Sequence, residues 1–253
     1  MSELWGAQNY FFIIVATLSF LVTMFNIRYF RSLGRLQRRP ALSKQQHRVS
    51  VLIPARNEAN NIRQCLTSLI EQDYAFLEIV VLDDHSTDDT AVVVEEFANF
   101  DLRIQLLKGL DLPDGWIGKN WACHQLAHGR ESEYLLFIDA DTVLSPRAVS
   151  HAVLEARNTN TDLLTVIPKR IATCMTERLM FPFIDWMSYC WMPMRTAHES
   201  KNPHLSATFG QFIFFKRESY EFMGGHKAIF DNPLDDFGLG RLAKTVGLKW
   251  KLL

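Results

Sequence analysis

The feature that most constrains the fold is a regular alternation of short apolar segments with amphipathic segments between Val49 and Ile167. The apolar runs suit buried strands and cover residues 49–53, 77–82, 103–107, 134–138 and 162–167. Helical spacing of apolar residues, or a helix-start signal, marks residues 60–72, 87–98, 119–128 and the segment that begins at Ser145-Pro146. This alternation predicts an α/β fold with a mostly parallel central sheet flanked by helices on both faces.

Polar segments directly follow three of the predicted strands. They are Pro54-Ala55-Arg56-Asn57-Glu58, Asp83-Asp84-His85-Ser86-Thr87-Asp88 and Asp139-Ala140-Asp141. Ligands of parallel α/β sheets bind at the carboxyl ends of the strands. We therefore expect the three segments to converge on one rim and to form the functional site.

The triplet Asp139-Ala140-Asp141 follows the apolar run EYLLFI and predicts a metal site. Two carboxylates one residue apart can face one ion through a short turn. Mg²⁺ or Mn²⁺ prefers a few carboxylates together with phosphate oxygens and water. A metal at this position would neutralise a leaving diphosphate. The alternative for so short a triplet is a turn or a helix cap.

The acidic segment at Asp83-Asp84 predicts contacts with a nucleotide. A carboxylate at the end of a strand can accept hydrogen bonds from an imide N–H or a ribose hydroxyl, and Arg56 and Glu58 are candidates for the same pocket. The alternative is an acid-rich helix start with Ser86 or Thr87 as the cap. That alternative leaves Asp83, at the strand end, unexplained.

Two further segments carry candidate chemistry at helix starts. Asp235-Asp236 precedes a predicted helix, where a carboxylate could take the proton from an attacking hydroxyl. Gly118-Lys119 brings backbone donors and a cation to a helix N-terminus, which suits phosphate. A helix cap and a turn followed by a surface lysine are the respective alternatives.

The chain resembles the inverting family-two glycosyltransferases of the GT-A (Rossmann-like) fold. Four pieces carry the resemblance in the right order from Val49 onward: IPARNE, DDHSTDDT, DADT and the DD of LDDFGLGRLAKTVG. The segment GWIGK is also similar to family members linked to carotenoid and hopanoid pathways. The resemblance implies a hexosyltransferase with a nucleotide-sugar donor, most simply UDP-linked, a lipid-like acceptor, and Mg²⁺ or Mn²⁺ as cofactor.

The resemblance also implies residue roles. Asp236 corresponds to the catalytic base and Asp235 to the acid before it, where the family usually has Glu. Asp141, with Asp139, corresponds to the metal ligands. The implied donor contacts are Pro54, Arg56, Glu58, Asp83, Asp84, Lys119 and Asp139. The family's acceptor-side loops correspond to Gly210-Gln211 and Gly224-Gly225-His226.

Several rival functions stay open at this point. A polyprenyl-phosphate glycosyl synthase would need little base catalysis, because a phosphate attacks. A nucleotidyltransferase usually carries a Gly-rich loop after the first strand, and IPARNE has no glycine. A catalytically silent membrane-binding module would bury clustered carboxylates without a partner, which is unfavourable. The QxxRW motif, found later in processive members of the family, is absent from this sequence: either the chain stops before it or the enzyme adds one sugar and releases, and we favour single transfer.

The N-terminal region predicts a membrane anchor. No residue between Leu4 and Ile27 is charged, and about 20 apolar residues suffice for a transmembrane helix. The basic residues that follow place the next domain on the cytoplasmic side: Arg28, Arg31, Arg35, Arg38, Arg39, Lys44 and Arg48. We therefore expect residues 1–31 to anchor the protein in the cell membrane. A basic linker at 32–48 then leads to a GT-A domain at 49–253 on the cytoplasmic side. A buried helix packed on the domain is the alternative.

The remaining signals are weaker. The net charge of −1 gives no basic field for nucleic acid, and the four cysteines form no CxxC pair. Residues 176–195 are crowded with Met, Trp and Phe, which suits core packing, a helix at a bilayer surface or an apolar acceptor groove. The ending KWKLL reads as the beginning of a strand, which leaves open a further C-terminal segment with more membrane helices.

Overall fold

The structure is a computed structural model of the chain that describes residues 2–29 and 47–253. The N-terminal helix is α1 (Ser2–Tyr29), and the linker predicted at 32–48 lies, up to residue 46, outside the described residues. The first half of the domain contains β1 (Val49–Ala55), α2 (Ile62–Ile70), β2 (Leu77–Asp83), α3 (Thr90–Phe100), β3 (Ile104–Lys108), α4 (Gly118–Ala127), β4 (Tyr134–Phe137) and α5 (Ala148–Thr159). The second half contains β5 (Leu163–Thr165), α6 (Met175–Trp191), α7 (Met194–Glu199), β6 (Ile213–Lys216), α8 (Arg217–Phe222), a 3-10 turn (Gly225–Ile229), α9 (Asp235–Thr245) and β7 (Trp250–Leu252).

The described strands form one seven-stranded sheet in the order β3-β2-β1-β4-β6-β5-β7. The neighbours from β3 to β4 pair in parallel, whereas β6 runs antiparallel to both β4 and β5. The predicted mostly parallel sheet is therefore confirmed, with one reversed strand. Because β1, β2 and β4 point the same way, the loops after them leave the sheet at the same edge.

Side chains alternate between two cores, one on each face of the sheet. Along β1, Val51 and Ile53 belong to the core under α2, α3 and α5, whereas Leu52 belongs to the core under α4 and α9. All three side chains are fully buried, as expected for a strand covered on both faces. The helix-sheet-helix sandwich explains why the strand sequences are continuous apolar runs.

Three helices begin two or three residues later than predicted. We expected starts at residues 60, 87 and 145, and the structure has them at Ile62, Thr90 and Ala148. The predicted cap at Ser86 or Thr87 is wrong, because Asp88 Oδ1 accepts the hydrogen bond from Thr90 N at 3.0 Å. The residues before these helices instead form hydrogen bonds with other loops, as Ala59 N does with Asp88 Oδ2 and Gln72 Nε2 with Ser145 O. Local sequence patterns do not predict hydrogen bonds between distant loops.

Helix α1 is, within the described ranges, the helix long and apolar enough to cross a membrane. Its segment Gln8–Tyr29 has a mean hydropathy of 2.1 and is only 6% buried, which disagrees with the alternative of a buried core helix. Its C-terminal turns dock on the domain through Asn26, which is 2% exposed. The Asn26 amide donates to Met192 O at 2.8 Å and accepts from Met194 N at 2.9 Å. Met192 directly follows α6, and Met194 is the first residue of α7.

The close packing of α9 against the chain near Thr208 gives a test of the fold. A Cβ at Gly240 would lie 2.2 Å from Thr208 Oγ1, which also accepts from Trp250 Nε1 at 3.1 Å. Helix propensity favours Ala over Gly by about 1 kcal/mol, but overpacking a core costs about 1–3 kcal/mol. We expect Gly240→Ala to lower the free energy of unfolding, measured by denaturation of the full chain in detergent.

The matched control for this prediction is the same substitution in a Thr208→Ala background. There the clashing hydroxyl is gone, so Gly240→Ala should cost little or become stabilising. Equal destabilisation in both backgrounds would show that the contact with Thr208 is not the cause.

Candidate active site

The loops after β1 and β2 are joined by hydrogen bonds between their backbones and side chains. Asn57 N donates to Ser86 Oγ at 3.0 Å, and Thr87 N donates to Asn57 Oδ1 at 2.8 Å. Glu58 N donates to Thr90 Oγ1 at 2.8 Å. The Arg56–Glu58 segment and the acidic segment after β2 therefore form one wall. Asn57 has a φ of 57°, a left-handed conformation that Asn tolerates better than most residues.

The candidate donor residues occupy different positions on this wall. Pro54 lies within β1 opposite Leu82, and Arg56 is exposed in the loop that follows. The Glu58 carboxylate accepts from Asn61 Nδ2 at 2.7 Å, while the helix-start amides of Asn61 and Ile62 bond to the Glu58 carbonyl instead. The Glu58 side chain therefore does not cap α2.

Asp83 ends β2, and Asp84 directly follows it near the start of α4. Asp84 N donates to Ala55 O at 2.8 Å, which extends the β1–β2 pairing by one bond. The Asp84 carboxylate is 17% exposed, and its Oδ2 lies 3.6 Å from the position that a Cβ would take on Gly118. Asp83 Oδ1 accepts from Ser86 N at 3.3 Å. Asp84 is thus beside the helix start that carries Lys119.

Lys119 connects carboxylates from two distant parts of the sequence. Its Nζ lies 2.8 Å from Asp139 Oδ1 and 3.3 Å from Asp235 Oδ2. Burial alone would lower the pKa of Lys119, but Asp139 and then Asp235 raise it above its ordinary value. The amine therefore stays protonated and offsets the repulsion between the two carboxylates.

Asp236 lies on the other side of this ion-pair cluster, in the first turn of α9. Its Oδ2 accepts from Gly210 N at 3.2 Å, and its Oδ1 accepts from Phe237 N at 2.7 Å. Burial raises the pKa of Asp236 above that of an ordinary aspartate, and Asp235 adds to this effect. A carboxylate with a raised pKa in a partly buried site is suited to accept a proton.

Gly210 allows the carboxylates of the two halves to approach each other. A Cβ there would lie 3.5 Å from Asp139 Oδ2 and 3.8 Å from Asp236 Oδ2. It would also lie 3.3 Å from Lys119 Nζ. Any larger residue would narrow the space between Asp139 and Asp236.

Asp141 is exposed and borders a groove of about 760 Å³. Thr142 N donates to Asp139 O at 3.0 Å, which makes the turn that separates the two aspartates. The groove runs from this turn past residues 166–171 to Phe181 of α6, and Gln211 and Leu253 also border it. Most of its lining is apolar, with Lys169 and Arg170 among the exceptions.

Two residues that hold the site together were not singled out from the sequence. Asn57 joins the first two loops, as described above. Asn120 is fully buried, and its Nδ2 donates to Ile229 O at 2.8 Å and to Asn232 O at 3.0 Å. These bonds fix the segment that leads into Asp235. The available signal was an asparagine directly after Gly118-Lys119, in a helix turn where a buried amide needs partners.

The residues fit a divalent cation bound by few protein ligands. No group of three or more His, Cys, Asp or Glu side chains that could hold a metal occurs in the described part of the chain. Asp139 and Asp141 instead offer two carboxylates on one turn, of which Asp139 lies beside the space that a Cβ on Gly210 would fill and Asp141 is exposed. Mg²⁺ is typically held by one or two carboxylates plus substrate phosphates rather than by an all-protein cage.

The role of Asn57 in joining the two loops can be tested directly. We expect Asn57→Gly to keep the left-handed backbone but to lose the bond from Thr87 N, so that the Thr87 amide exchanges faster. Asn57→Ala should lose the same bond and add backbone strain of about 1 kcal/mol. Asn57→Asp keeps an acceptor oxygen and is the matched control. Unchanged exchange at Thr87 in all three variants would contradict the assignment.

Solved structures share the architecture. A mannosyltransferase from Pyrobaculum calidifontis, solved with GDP-Man and Mn²⁺, matches with a TM-score of 0.65 at 22% identity over 95% of this chain and 66% of that one. Staphylococcus aureus TarS 1–349, solved with UDP, matches with a TM-score of 0.59 at 21% identity over 81% of this chain and 57% of that one. At these identities the likeness establishes the fold.

Sequence relatives extend the comparison. A 4,4'-diaponeurosporenoate glycosyltransferase of Staphylococcus haemolyticus is 29% identical over 86% of this chain and 56% of its own length. One from Staphylococcus aureus (strain MRSA252) is 28% identical over 76% of this chain and 50% of its own length. The chain thus spans about half the length of these relatives. The model of glycosyl transferase family 2 matches residues 50–224, and the chain belongs to that family.

Proposed function

We propose that the protein is a membrane-anchored inverting glycosyltransferase. It moves a sugar from a nucleotide-diphosphate sugar to a lipid-like acceptor, one sugar per reaction. The observation that carries the proposal is the meeting of Asp139 and Asp236 across Gly210, with Lys119 between Asp139 and Asp235. Within one small volume this provides ligands for a metal-bound diphosphate and a base for the attacking group.

The donor nucleotide binds, in this proposal, along the wall formed by the loops after β1 and β2. Asp83 and Asp84 accept hydrogen bonds from the base or ribose, and Pro54, Arg56 and Glu58 complete the pocket. Hydrogen bonds between the loops keep the wall preorganised, so that less ordering is required on binding. We favour a UDP-linked donor; the TarS structures hold UDP or UDP-GlcNAc, and the mannosyltransferase structure holds GDP-Man.

The diphosphate lies near Asp139, Asp141 and Lys119. A bound Mg²⁺ or Mn²⁺ would neutralise negative charge as it develops on the leaving diphosphate. Lys119 supplies a second positive charge at the N-terminus of α4, where backbone N–H groups also favour anions. Asp235 positions this lysine through their ion pair. The ion pair gives a physical reason for Asp235 at a position where the family usually has the longer Glu.

Asp236 acts as the base when the acceptor is a hydroxyl. Its raised pKa increases proton affinity at the start of the reaction, and the Gly210 and Phe237 amides orient its two oxygens. An acceptor that is already anionic, such as a carboxylate or a phosphate, would need no such base. The polyprenyl-phosphate alternative therefore makes a distinct prediction for this residue.

The acceptor enters through the groove that begins at Asp141. Its mostly apolar lining suits a long hydrocarbon, and its far end reaches Phe181 on α6, the helix that packs on the anchor. The relatives' name, diaponeurosporenoate glycosyltransferase, is in keeping with a lipid-like acceptor of this kind. Helix α1 holds the domain at the cell membrane, and the basic residues after it favour the cytoplasmic side.

Donor turnover is the direct test of the enzyme. The full chain in detergent should hydrolyse a UDP-sugar slowly from a panel of nucleotide sugars, and removal of divalent metal with EDTA should abolish this. Asp141→Asn should raise the Mn²⁺ concentration for half-maximal activity by about tenfold or more, because one of two ligands is lost. Lack of both turnover and donor binding across the panel would refute the proposal.

Asp236→Asn tests the base. With a hydroxyl-bearing lipid acceptor we expect kcat to fall by about 10²–10⁴, with donor affinity little changed. In the unsubstituted protein kcat/KM should fall on acidification at a pH above the ordinary aspartate range, since the pKa of the base is raised and its protonated form is inactive. Near-full activity of Asp236→Asn would reject the base role and favour an anionic acceptor such as a polyprenyl phosphate.

A further inference from the structure

Helix α6 exposes an unusually large set of apolar side chains. Their exposed fractions range from 37% for Ile184 to 81% for Met175. Large contiguous apolar patches are uncommon on proteins surrounded only by water, and they mark interaction surfaces. The exposed set consists of Met175, Leu179, Met180, Phe183, Ile184, Trp186, Met187 and Trp191.

This surface is continuous with the membrane-spanning candidate α1. The two helices pack on each other, and Thr23 Oγ1 donates to Cys190 Sγ at 3.0 Å. Cys190 is 5% exposed and Asn26 is 2% exposed, so the contact between the helices uses small and polar side chains. Helical spacing places Phe183, Trp186 and Met187 on the same face of α6 as Cys190, so the exposed apolar face of α6 adjoins α1. The exposed side chains of α1 are themselves mostly apolar.

The composition of α6 fits the bilayer boundary better than a second span. Its 17 residues would measure about 26 Å, short of a hydrocarbon core of about 30 Å. Glu177 and Arg178 lie in its first turns, and Pro182 interrupts it. Tryptophan is enriched at the headgroup level, and Trp186 contacts Phe183 and Trp191 with ring centroids 5.7 and 6.4 Å apart.

We propose that α6 is a second membrane-contacting element, an interfacial helix that lies at the headgroup–acyl boundary of the bilayer that α1 crosses. The occupant of its apolar face is lipid, because the same face continues onto α1, whose exposed surface requires lipid. Through Phe181, α6 also borders the groove at Asp141, so the helix sets the groove mouth at the membrane surface. The inference rests on the anchorage proposed above and is independent of sugar transfer.

The test uses the full chain in phospholipid vesicles and one environment-sensitive fluorophore. Cys174, the exposed cysteine of the described region, is first replaced by Ser, which suits its position before α6. The probe is then attached at Met187→Cys in α6. Lipids brominated near the headgroup end of the acyl chain should quench this probe about twofold or more, and lipids brominated near the chain end should quench it less.

Two control positions give the result its meaning. Leu102 is 94% exposed and lies in the turn before β3, at the edge of the sheet opposite β7. A probe at Leu102→Cys should remain unquenched by lipid and accessible to aqueous iodide. Leu18→Cys lies in α1, and its probe should be quenched by lipids brominated at either depth. A Met187 probe that lipids do not quench overturns the proposal, whether iodide reaches it or another protein covers it. The Leu18 probe then tells whether α6 alone or the whole anchorage has failed, and neither outcome depends on donor turnover.

Discussion

The candidate site depends on one ion-pair arrangement, the contact of Lys119 with both Asp139 and Asp235. These carboxylates belong to the loop after β4 and to the first turn of α9, and each would repel the other without a cation between them. The lysine lies at the start of α4. The next residue, Asn120, donates hydrogen bonds to the segment that leads into α9. The position of the proposed base therefore depends on how α4 is bonded to the segment before α9.

The anchor and the proposed catalytic helix are connected through a second series of contacts. Asn26 of α1 fixes the turn before α7, and the carbonyls of Ala197 and Ser200 at the end of α7 accept hydrogen bonds from Lys244. Lys244 is 3% exposed and lies in α9, the helix that begins with Asp235. Burial lowers the pKa of Lys244 to about 8. The orientation of the domain relative to α1 is thus set by buried polar contacts.

Sequence patterns predicted β1 to β5 and the mostly parallel sheet, because a strand covered on both faces is apolar throughout and the helical segments between these runs require parallel crossovers. The antiparallel strand β6 was not predicted. Helix starts were less well predicted, because Asp88 and Thr90 form bonds with the loop after β1 that are remote in sequence. The candidate residues at strand ends were identifiable for a related reason: carboxylates after an apolar run have few structural uses. The roles of Asn57, Gly210 and Asn120 in the site depend on hydrogen-bond partners about 25 or more residues away in the chain. Only the left-handed backbone of Asn57 is a local feature.

The amino-acid sequence by itself determined the α/β fold, the family, the apolar N-terminal helix and the identity of the acidic clusters, because each is written in local periodicity or in a short motif. Only the tertiary structure decided that Lys119 lies between two acidic loops, that Asp236 meets Asp139 across a glycine, and that α6 shares an outer surface with α1. Those relations are distances between groups far apart in the chain, and distances of that kind exist only after the sheet has fixed the order of its strands.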